Sequence, residues 1–212
     1  HDEVGLTFKK LISDSVKVYN LNVEGNHNYF VTQVKLLVHN KDCFIGSSLI
    51  PMKNGKWKTI DNINIGDSVL VYSLTGAIDT GIVEKKVEIY HEGLVTLVFN
   101  SGVEITTTQS HPFLLDGNVL ASFNSKRTIE DLGFSVHQYV IGDSFISMGA
   151  NRDWLSRDEL VEIKFINEFA ETYNLNISGS DFYIVNGLIV SQEKNIEIHG
   201  DQVRFISFKN YE

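Results

Sequence analysis

One sequence pattern occurs twice in this chain, and it constrains the fold more than any other feature. The two copies are VYNLNVEGNHNYFVTQVKLLVHN (residues 18–40) and TYNLNISGSDFYIVNGLIVSQ (residues 172–192). Both contain Tyr-Asn-Leu-Asn, then a glycine and an aromatic pair, and both end in a short apolar run followed by two polar residues. Similarity over this length indicates that one structural unit is used twice.

The rest of the sequence is typical of short β-strands. Sixteen glycines and only two prolines supply most of the turns between runs rich in Val, Ile, Tyr and Phe. Ser156 and Glu159 have the spacing of a helix capping box, but Val161, Ile163 and Phe165 alternate with charged residues, which favours a strand. The predicted fold class is therefore all-β, with strands in SVLVYSL, VEKKVEIY, LVTLVFN, VEITTT, ELVEIKFI, TYNLNIS and FYIVNGLIV.

A second, weaker similarity links INIGDSVL (residues 63–70) to VIGDSFI (residues 140–146). One interpretation is a Gly-Asp turn before a strand that happens to be used twice. The alternative is a fold built from two related halves.

Composition excludes several classes of function. The net charge of -9 argues against a nucleic-acid partner, because phosphate binding needs a basic surface. No apolar run approaches the ~18 residues that a membrane helix requires. With one cysteine, the chain has neither an internal disulfide framework nor a cysteine-based zinc site. No secretory signal is visible, and the abrupt start at HDEVGL leaves the compartment open.

The residues that carry chemistry lie in LLVHNKDCFIGSS (residues 36–48) and TTTQSHPF (residues 106–113). A lone cysteine is most often a small buried apolar residue, and a lone histidine is most often a hydrogen-bonded side chain. Together, Cys43 and His111 are a candidate nucleophile and a candidate general acid, with Thr108 three residues before the histidine.

The order of these motifs resembles the Hint family, which comprises inteins, bacterial intein-like domains and hedgehog autoprocessing domains. From Cys43 the chain reads DCFIGSS, INIGDSVLVYS, FNSGVEITTTQSHPFLL, a second IGD, and TYNLNISGSDFYIVNGLIV. The resemblance covers residues 43–192 and implies a horseshoe-shaped all-β fold with pseudo-twofold halves. It also implies single-turnover self-cleavage of the backbone without a cofactor or a metal.

The resemblance also assigns roles to individual residues. Cys43 corresponds to the nucleophile that attacks the carbonyl of Asp42, His111 to the proton donor, and Thr108 to the hydroxyl that holds the strained amide. Asn174 stands where many inteins have a proton-relaying aspartate, and an asparagine cannot titrate. Asp181 stands where a histidine is common and is a second acid-base candidate, although a solvated turn aspartate is the simpler interpretation.

In the Hint family, splicing requires a histidine and an asparagine at the end of the module, followed by a Cys, Ser or Thr. Neither copy of the repeat ends with this complete set. The second copy ends in Ser191-Gln192, and glutamine cyclises only to a six-membered ring, more slowly than asparagine does. Glu193 follows and cannot accept an acyl group. The first copy ends in the intact cleavage pair His39-Asn40, but Lys41 follows it. Cleavage at Asp42-Cys43 is therefore predicted, with cleavage at Asn40-Lys41 as a further option, and splicing is not.

The predicted organisation has three parts: residues 1–40 as the closing third of a preceding Hint module, 43–192 as a whole module, and 193–212 as a hairpin around His199-Gly200-Asp201. Alternatively, residues 1–40 dock in place of 172–192, in cis or in a domain-swapped homodimer. The expected partner is the chain's own flanking polypeptide, within a larger exported or cell-surface bacterial protein. Two other hypotheses are a degenerate Hint fold kept as a structural or interaction domain, and a cysteine hydrolase acting on other proteins.

Overall fold

The computed structural model describes residues 42–73, 75–132, 134–149 and 155–192, together with the backbone of four further strands at 28–31, 36–39, 196–199 and 202–205. The chain divides into two compact units, His1–Asn40 and Lys41–Glu212. Within the part of the chain that the structure describes, no helix has the length and apolar character needed to cross a membrane.

The described part of the first unit is a β-hairpin. Strands β1 (Asn28–Val31) and β2 (Leu36–His39) are antiparallel, with Asn28 paired to His39 at the open end.

The first half of the second unit contains seven strands and one 3₁₀ turn at Ile60–Asn62. All of the strands are short except β7, whose fourteen residues extend well beyond its neighbours. The strands are β3 (Phe44–Ile45), β4 (Leu49–Pro51), β5 (Trp57–Thr59), β6 (Ser68–Tyr72), β7 (Ile78–His91), β8 (Leu94–Phe99) and β9 (Glu104–Thr107).

The second half begins at β10 and contains a single described α-helix, α1 (Ser125–Leu132). Two strands, β18 and β19, pair as a hairpin after it, with His199 opposite Gln202. The strands are β10 (Phe113–Leu115), β11 (Val119–Ser122), β12 (His137–Gln138), β13 (Ser144–Met148), β14 (Leu155–Ile166), β15 (Ala170–Ile177), β16 (Phe182–Val185), β17 (Leu188–Ser191), β18 (Ile196–His199) and β19 (Gln202–Phe205).

One sheet of thirteen strands joins the two halves of the second unit, in the order β12-β11-β10-β13-β14-β8-β9-β3-β15-β7-β6-β16-β17. Its last strand, β17, also pairs with β10 and β13, so the sheet returns on itself. The strand β3, which begins one residue after Cys43, lies between β9 and β15. This position places the start of the module against the segment that carries Thr108 and against the second copy of the repeat.

The strand predicted in ELVEIKFI is confirmed, and the capping-box spacing of Ser156 and Glu159 does not begin a helix. Both residues lie in β14, which pairs with β13 on one side and β8 on the other. Pairing on both edges satisfies the backbone groups that a helix would bond internally, and the alternating apolar residues suit a strand. The described helix lies instead at α1, where it buries little besides Thr128.

The first Gly-Asp motif forms a turn that is bonded to the neighbouring strand. Gly66 has φ +92°, a left-handed conformation that favours glycine. Its N–H donates to the carbonyl of Val83 at 2.8 Å, and the Val83 N–H donates to the carbonyl of Asp67 at 2.9 Å. The Asp67 carboxylate accepts the N–H of Asn64 at 2.8 Å, which closes the turn.

The second Gly-Asp motif repeats every one of these contacts. Gly142 has φ +96°, its N–H donates to Leu160 at 2.8 Å, and the Leu160 N–H donates to Asp143 at 3.0 Å. The Asp143 carboxylate accepts the N–H of Val140 at 2.8 Å. Two turns with matching conformation and bonding support the interpretation of a fold with two related halves.

The longer repeat also forms equivalent structures at the level of the backbone. The hairpin β1–β2 and the hairpin β16–β17 each contain four residue pairs, and they begin with Asn28 opposite His39 and Phe182 opposite Ser191. His39 therefore has the same register position in its hairpin as Ser191 has in the other.

Gly81 in β7 has no room for a Cβ atom, because residues 177 and 178 at the end of β15 lie against it. A Cβ atom at Gly81 would lie 2.4 Å from the carbonyl oxygen of Ser178 and 2.5 Å from a methyl carbon of Ile177. We expect Gly81→Ala to lower the free energy of unfolding by about 1–3 kcal/mol, because the strands must separate to admit the methyl group. Urea unfolding measures the effect. Gly76→Asn is the control, because nothing lies within 4 Å of Gly76 and asparagine tolerates its positive φ. Equal loss in both variants would contradict the expectation.

Candidate active site

The peptide bond between Asp42 and Cys43 lies inside the second unit, and both residues are almost completely buried. Phe44 then enters the core, where its ring contacts those of Phe113 and Tyr183. Because the chain goes directly from this junction into a central strand, the surrounding sheet fixes its position.

Two threonines at the end of β9 hold the backbone of Cys43. The Cys43 N–H donates to Oγ1 of Thr108 at 3.1 Å, and the Thr108 N–H donates to the Cys43 carbonyl at 3.0 Å. The hydroxyl of Thr107 donates to the same carbonyl at 3.1 Å. The nitrogen of the Asp42–Cys43 amide is therefore held in a fixed direction by a buried hydroxyl.

His111 lies in the core beside this amide. Its ring centroid is 4.2 Å from that of Phe44 and 5.9 Å from that of Phe113. Burial lowers the pKa of His111 to about 3, although nearby backbone acceptors of Asp42 and Ser191 act in the opposite direction. Within the described residues, neither ring nitrogen makes a hydrogen bond of good geometry. The imidazole is therefore neutral at physiological pH, and it lies near both ends of the module.

The second copy of the repeat brings Ser191 to this site. The Ser191 N–H donates to the carbonyl of Pro112 at 3.1 Å, next to His111 in the chain. The Ser191 hydroxyl donates to the carbonyl of Gln192 at 3.1 Å.

The side chain of Gln192 forms hydrogen bonds with the backbone of residues 177 and 180, which flank the turn after β15. Its Oε1 accepts the N–H of Ile177 at 2.8 Å, and its Nε2 donates to the carbonyls of Ile177 and Ser180 at 3.2 and 2.9 Å. The backbone N–H of Gln192 donates to the carbonyl of Asp181 at 2.8 Å. These hydrogen bonds hold the end of the module against the turn between β15 and β16. Asp181 lies in that turn and is partly buried.

Asn174 lies in the core on β15. Its Oδ1 accepts the hydroxyl of Tyr183 at 3.0 Å and the N–H of Leu175 at 2.7 Å. Its Nδ2 is buried and has no hydrogen-bond partner among the described residues. The amide thus helps to position Tyr183, whose ring contacts Phe44 beside Cys43.

Sequence reasoning missed a pair of polar residues beside the junction. The hydroxyl of Ser110 forms a short hydrogen bond with Oδ1 of Asp42 and a second one, of 2.7 Å, with Oδ2 of Asp131. Asp131 lies on α1 and forms an ion pair with Arg127, one turn earlier, at 3.3 Å. Ser110 precedes His111 in the sequence, but no short-range pattern indicates a contact with Asp131.

A second buried histidine, His91 at the end of β7, was also missed. The hydroxyl of Thr172 donates to the carbonyl of Ile89 at 2.6 Å, so the 2.6 Å contact between Thr172 and Nδ1 of His91 requires the imidazole to be the donor there. Burial and, to a smaller extent, the positive charge of Arg127 lower the pKa of His91 to about 4, while the charge of Asp131 opposes the shift. The charges of the Arg127–Asp131 pair thus act on His91.

The structure therefore brings Cys43, Thr108 and His111 together, with Ser191 close to His111. Asn174 contacts the group indirectly through Tyr183, and Gln192 and Asp181 meet at the turn between β15 and β16. Of the first copy, Asn40 and the side chain of His39 lie outside the described residues.

The fold of this chain matches solved structures of inteins and of an intein-like domain. A DnaB intein from Synechocystis sp. PCC 6803 is 17% identical, with 71% of this chain and 98% of that chain covered and a TM-score of 0.59. A bacterial intein-like domain from Clostridium thermocellum is 20% identical, with coverage of 72% and 100% and a TM-score of 0.59. The TvoVMA intein is 12% identical, with coverage of 70% and 96% and a TM-score of 0.56.

Comparison of sequence alone gives no such match: no family model and no curated protein matches this chain. The structural similarity shows that the chain has an all-β Hint, or intein-like, fold. The fold class predicted from the sequence is confirmed.

Proposed function

We propose that residues 43–192 act once, on their own backbone, to break the Asp42–Cys43 peptide bond through a thioester at Cys43. The observation that carries the proposal is the buried amide, whose nitrogen is bonded to Thr108 and which lies beside the neutral imidazole of His111. A nucleophile, a base and a group that orients the amide are the parts that acyl transfer requires.

In the first step, His111 accepts the thiol proton of Cys43 and the thiolate attacks the carbonyl carbon of Asp42. A carbon–sulfur bond forms while the carbon–nitrogen bond breaks. The imidazolium then gives its proton to the departing nitrogen of Cys43, so that His111 ends neutral. Thr108 acts as a positioning residue because it fixes the direction of that nitrogen. The thioester is then broken, with one water molecule consumed overall, and a fragment that ends in Asp42 is released.

The end of the module favours cleavage over splicing. The amide nitrogen of Gln192 already donates two hydrogen bonds to the backbone, and cyclisation would have to break both of them. Glu193 follows and offers no hydroxyl or thiol to accept the acyl group. The flanking polypeptide is released in this proposal, and the two flanks are not joined.

The anchored Gln192 also supports a second candidate function, in which the Hint fold is retained as a structural or interaction domain. Three hydrogen bonds from one side chain stabilise the end of the module, where a cleaving module would have a reactive asparagine. If Cys43 is unreactive, the chain serves as a structural or interaction domain.

Intact mass spectrometry distinguishes the two functions. Protein purified in urea is refolded with and without hydroxylamine, and we expect fragments 1–42 and 43–212, with a hydroxamate on Asp42 in the trapped sample. Cys43→Ala should remain uncut at Asp42–Cys43, and any cleavage that it shows at Asn54-Gly55 or Asn186-Gly187 measures direct attack by hydroxylamine on those bonds. A wild-type chain that stays whole in both samples would refute autoprocessing. Cleavage at Asn40-Lys41 that is lost in Asn40→Ala would assign activity to the first copy.

A further inference from the structure

The hydrogen bonds of Ser110 require a proton on one of two neighbouring carboxyl groups. The hydroxyl of Ser110 contacts Oδ1 of Asp42 and Oδ2 of Asp131, but a hydroxyl has a single hydrogen to donate. Both contacts are hydrogen bonds only if one carboxyl group donates a proton to the serine oxygen. All three side chains are buried or nearly so, so an unsatisfied contact between two oxygens would be costly.

The proton belongs to Asp42 rather than to Asp131. Asp131 is paired with Arg127 at 3.3 Å through Oδ2, the same oxygen that Ser110 contacts, so this oxygen is the acceptor of the serine hydroxyl. The resulting chain of donors runs from the Asp42 carboxyl to the Ser110 hydroxyl and on to the Asp131 carboxylate. This chain is a path by which Asp42 can lose its proton next to the junction with Cys43.

We propose that the carboxyl group of Asp42 is the nucleophile that resolves the Cys43 thioester, with Ser110 and Asp131 as positioning residues that accept its proton. This inference rests on the proposed function. After the thioester has formed, an oxygen of the Asp42 side chain attacks the main-chain carbonyl carbon of the same residue. The new carbon–oxygen bond closes a five-membered cyclic anhydride, and the carbon–sulfur bond breaks. The Cys43 thiolate takes up the proton that passed to Asp131.

Water then opens the anhydride and leaves two carboxyl groups on Asp42. The overall reaction consumes one water molecule, as direct hydrolysis does, and requires no oxidant or other reactant. The two routes differ in the carbon that water attacks. Direct hydrolysis adds the water oxygen to the α-carboxyl alone, whereas the anhydride can be opened at either carbonyl.

Burial of the site favours the intramolecular route. Cys43 and Ser110 are fully buried and Asp42 is 1% exposed, so the folded site admits little water to the thioester. A carboxylate on the adjacent carbon needs no such access, and well-oriented intramolecular nucleophiles have effective molarities of about 10⁵–10⁸ M.

Cleavage in water enriched in ¹⁸O distinguishes the routes. The released fragment is digested after Glu24, which yields a peptide of residues 25–42 in which Asp42 is the sole aspartate. In tandem mass spectrometry, Asp42 yields a fragment ion that has lost the α-carboxyl group and still contains the side-chain carboxyl group. Label in this ion therefore reports water addition to the side-chain carbonyl. We expect ¹⁸O in this ion, with no label when the finished fragment is incubated in the same water. Cleavage with label confined to the α-carboxyl would overturn the inference and leave the proposed function standing, whereas an intact chain would overturn both.

Variants give a second readout that a merely structural role would not produce. In Ser110→Ala and Asp131→Asn, we expect the ratio of spontaneous to hydroxylamine-triggered cleavage to fall by at least ~10-fold, because only spontaneous cleavage needs the proton path. Asp116→Asn is the matched control, since Asp116 is paired with Arg157 at the surface. An unchanged ratio in both variants would overturn the roles of Ser110 and Asp131.

Discussion

Replacement of His111 by glutamine is expected to slow cleavage at Asp42–Cys43 by about 10²–10⁴-fold, the usual contribution of a general acid-base residue. The neutral imidazole can accept the thiol proton of Cys43 and return it to the amide nitrogen, and a glutamine can do neither. The rate is measured as hydroxylamine-triggered cleavage after refolding, so that the thioester step alone is followed.

His137→Gln is the matched control for this substitution, because His137 is exposed on β12 and distant in sequence from the junction. Its cleavage rate should equal that of the wild-type chain. The fluorescence of refolded His111→Gln must also match that of the wild type, since the substituted side chain packs between Phe44 and Phe113. A folded His111→Gln chain that cleaves at the wild-type rate would remove the histidine from the mechanism.

The strands and the duplication could be predicted from the sequence because both are local patterns. Alternating apolar residues in 159–166 identify β14, and the two Gly-Asp motifs identify turns that prove to have the same bonding. The position of α1 could not be predicted in the same way. Only Ile129 and Leu132 of its eight residues are apolar, so the helical pattern is too short to distinguish this segment from a loop.

The sequence predicts those residues of the candidate site that belong to short motifs. It does not predict the residues that come together only when the chain folds. Cys43, Thr108 and His111 were identified from the order of short motifs along the chain. Ser110 meets Asp42 across 68 positions of sequence, and α1, whose Thr128 hydroxyl donates to the Ser110 carbonyl at 2.8 Å, brings Asp131 to it. Contacts of this kind depend on strand order and helix placement, which composition and periodicity do not determine.

Gln192 illustrates a different limit. The sequence correctly identifies a residue that cyclises poorly, since its ring would have six members. The structure adds that the same amide bonds the backbone at Ile177 and Ser180. A side chain with three hydrogen bonds to the backbone stabilises the end of β17, so its identity serves the fold whether or not the module cleaves.

The stability of the second unit is expected to fall steeply as the pH drops from about 6.5 towards 4, because two histidines are buried in neutral form. Burial lowers the pKa of His111 to about 3 and that of His91 to about 4. In the unfolded chain an imidazole titrates near pH 6.5, so below that pH the unfolded state binds more protons than the folded state. Stability is therefore fully present above pH 6.5 and is lost as the pH falls, at about 1.4 kcal/mol per pH unit for each histidine.

Urea unfolding between pH 4.5 and 7.5, in a Cys43→Ala background that prevents cleavage, measures this slope. We expect His111→Gln and His91→Gln each to lower the slope by about 1.4 kcal/mol per pH unit, since each variant deletes one of the two buried titrating groups. His137→Gln, on the exposed strand β12, is the control for the replacement of a histidine as such. The carboxyl groups are the same in every variant, so their contribution to the slope cancels in the difference between variants. An unaltered slope in His111→Gln would mean that this imidazole binds its proton over the same pH range in the folded and unfolded chains, and it would refute the burial of a neutral His111 on which the proposed proton transfer depends.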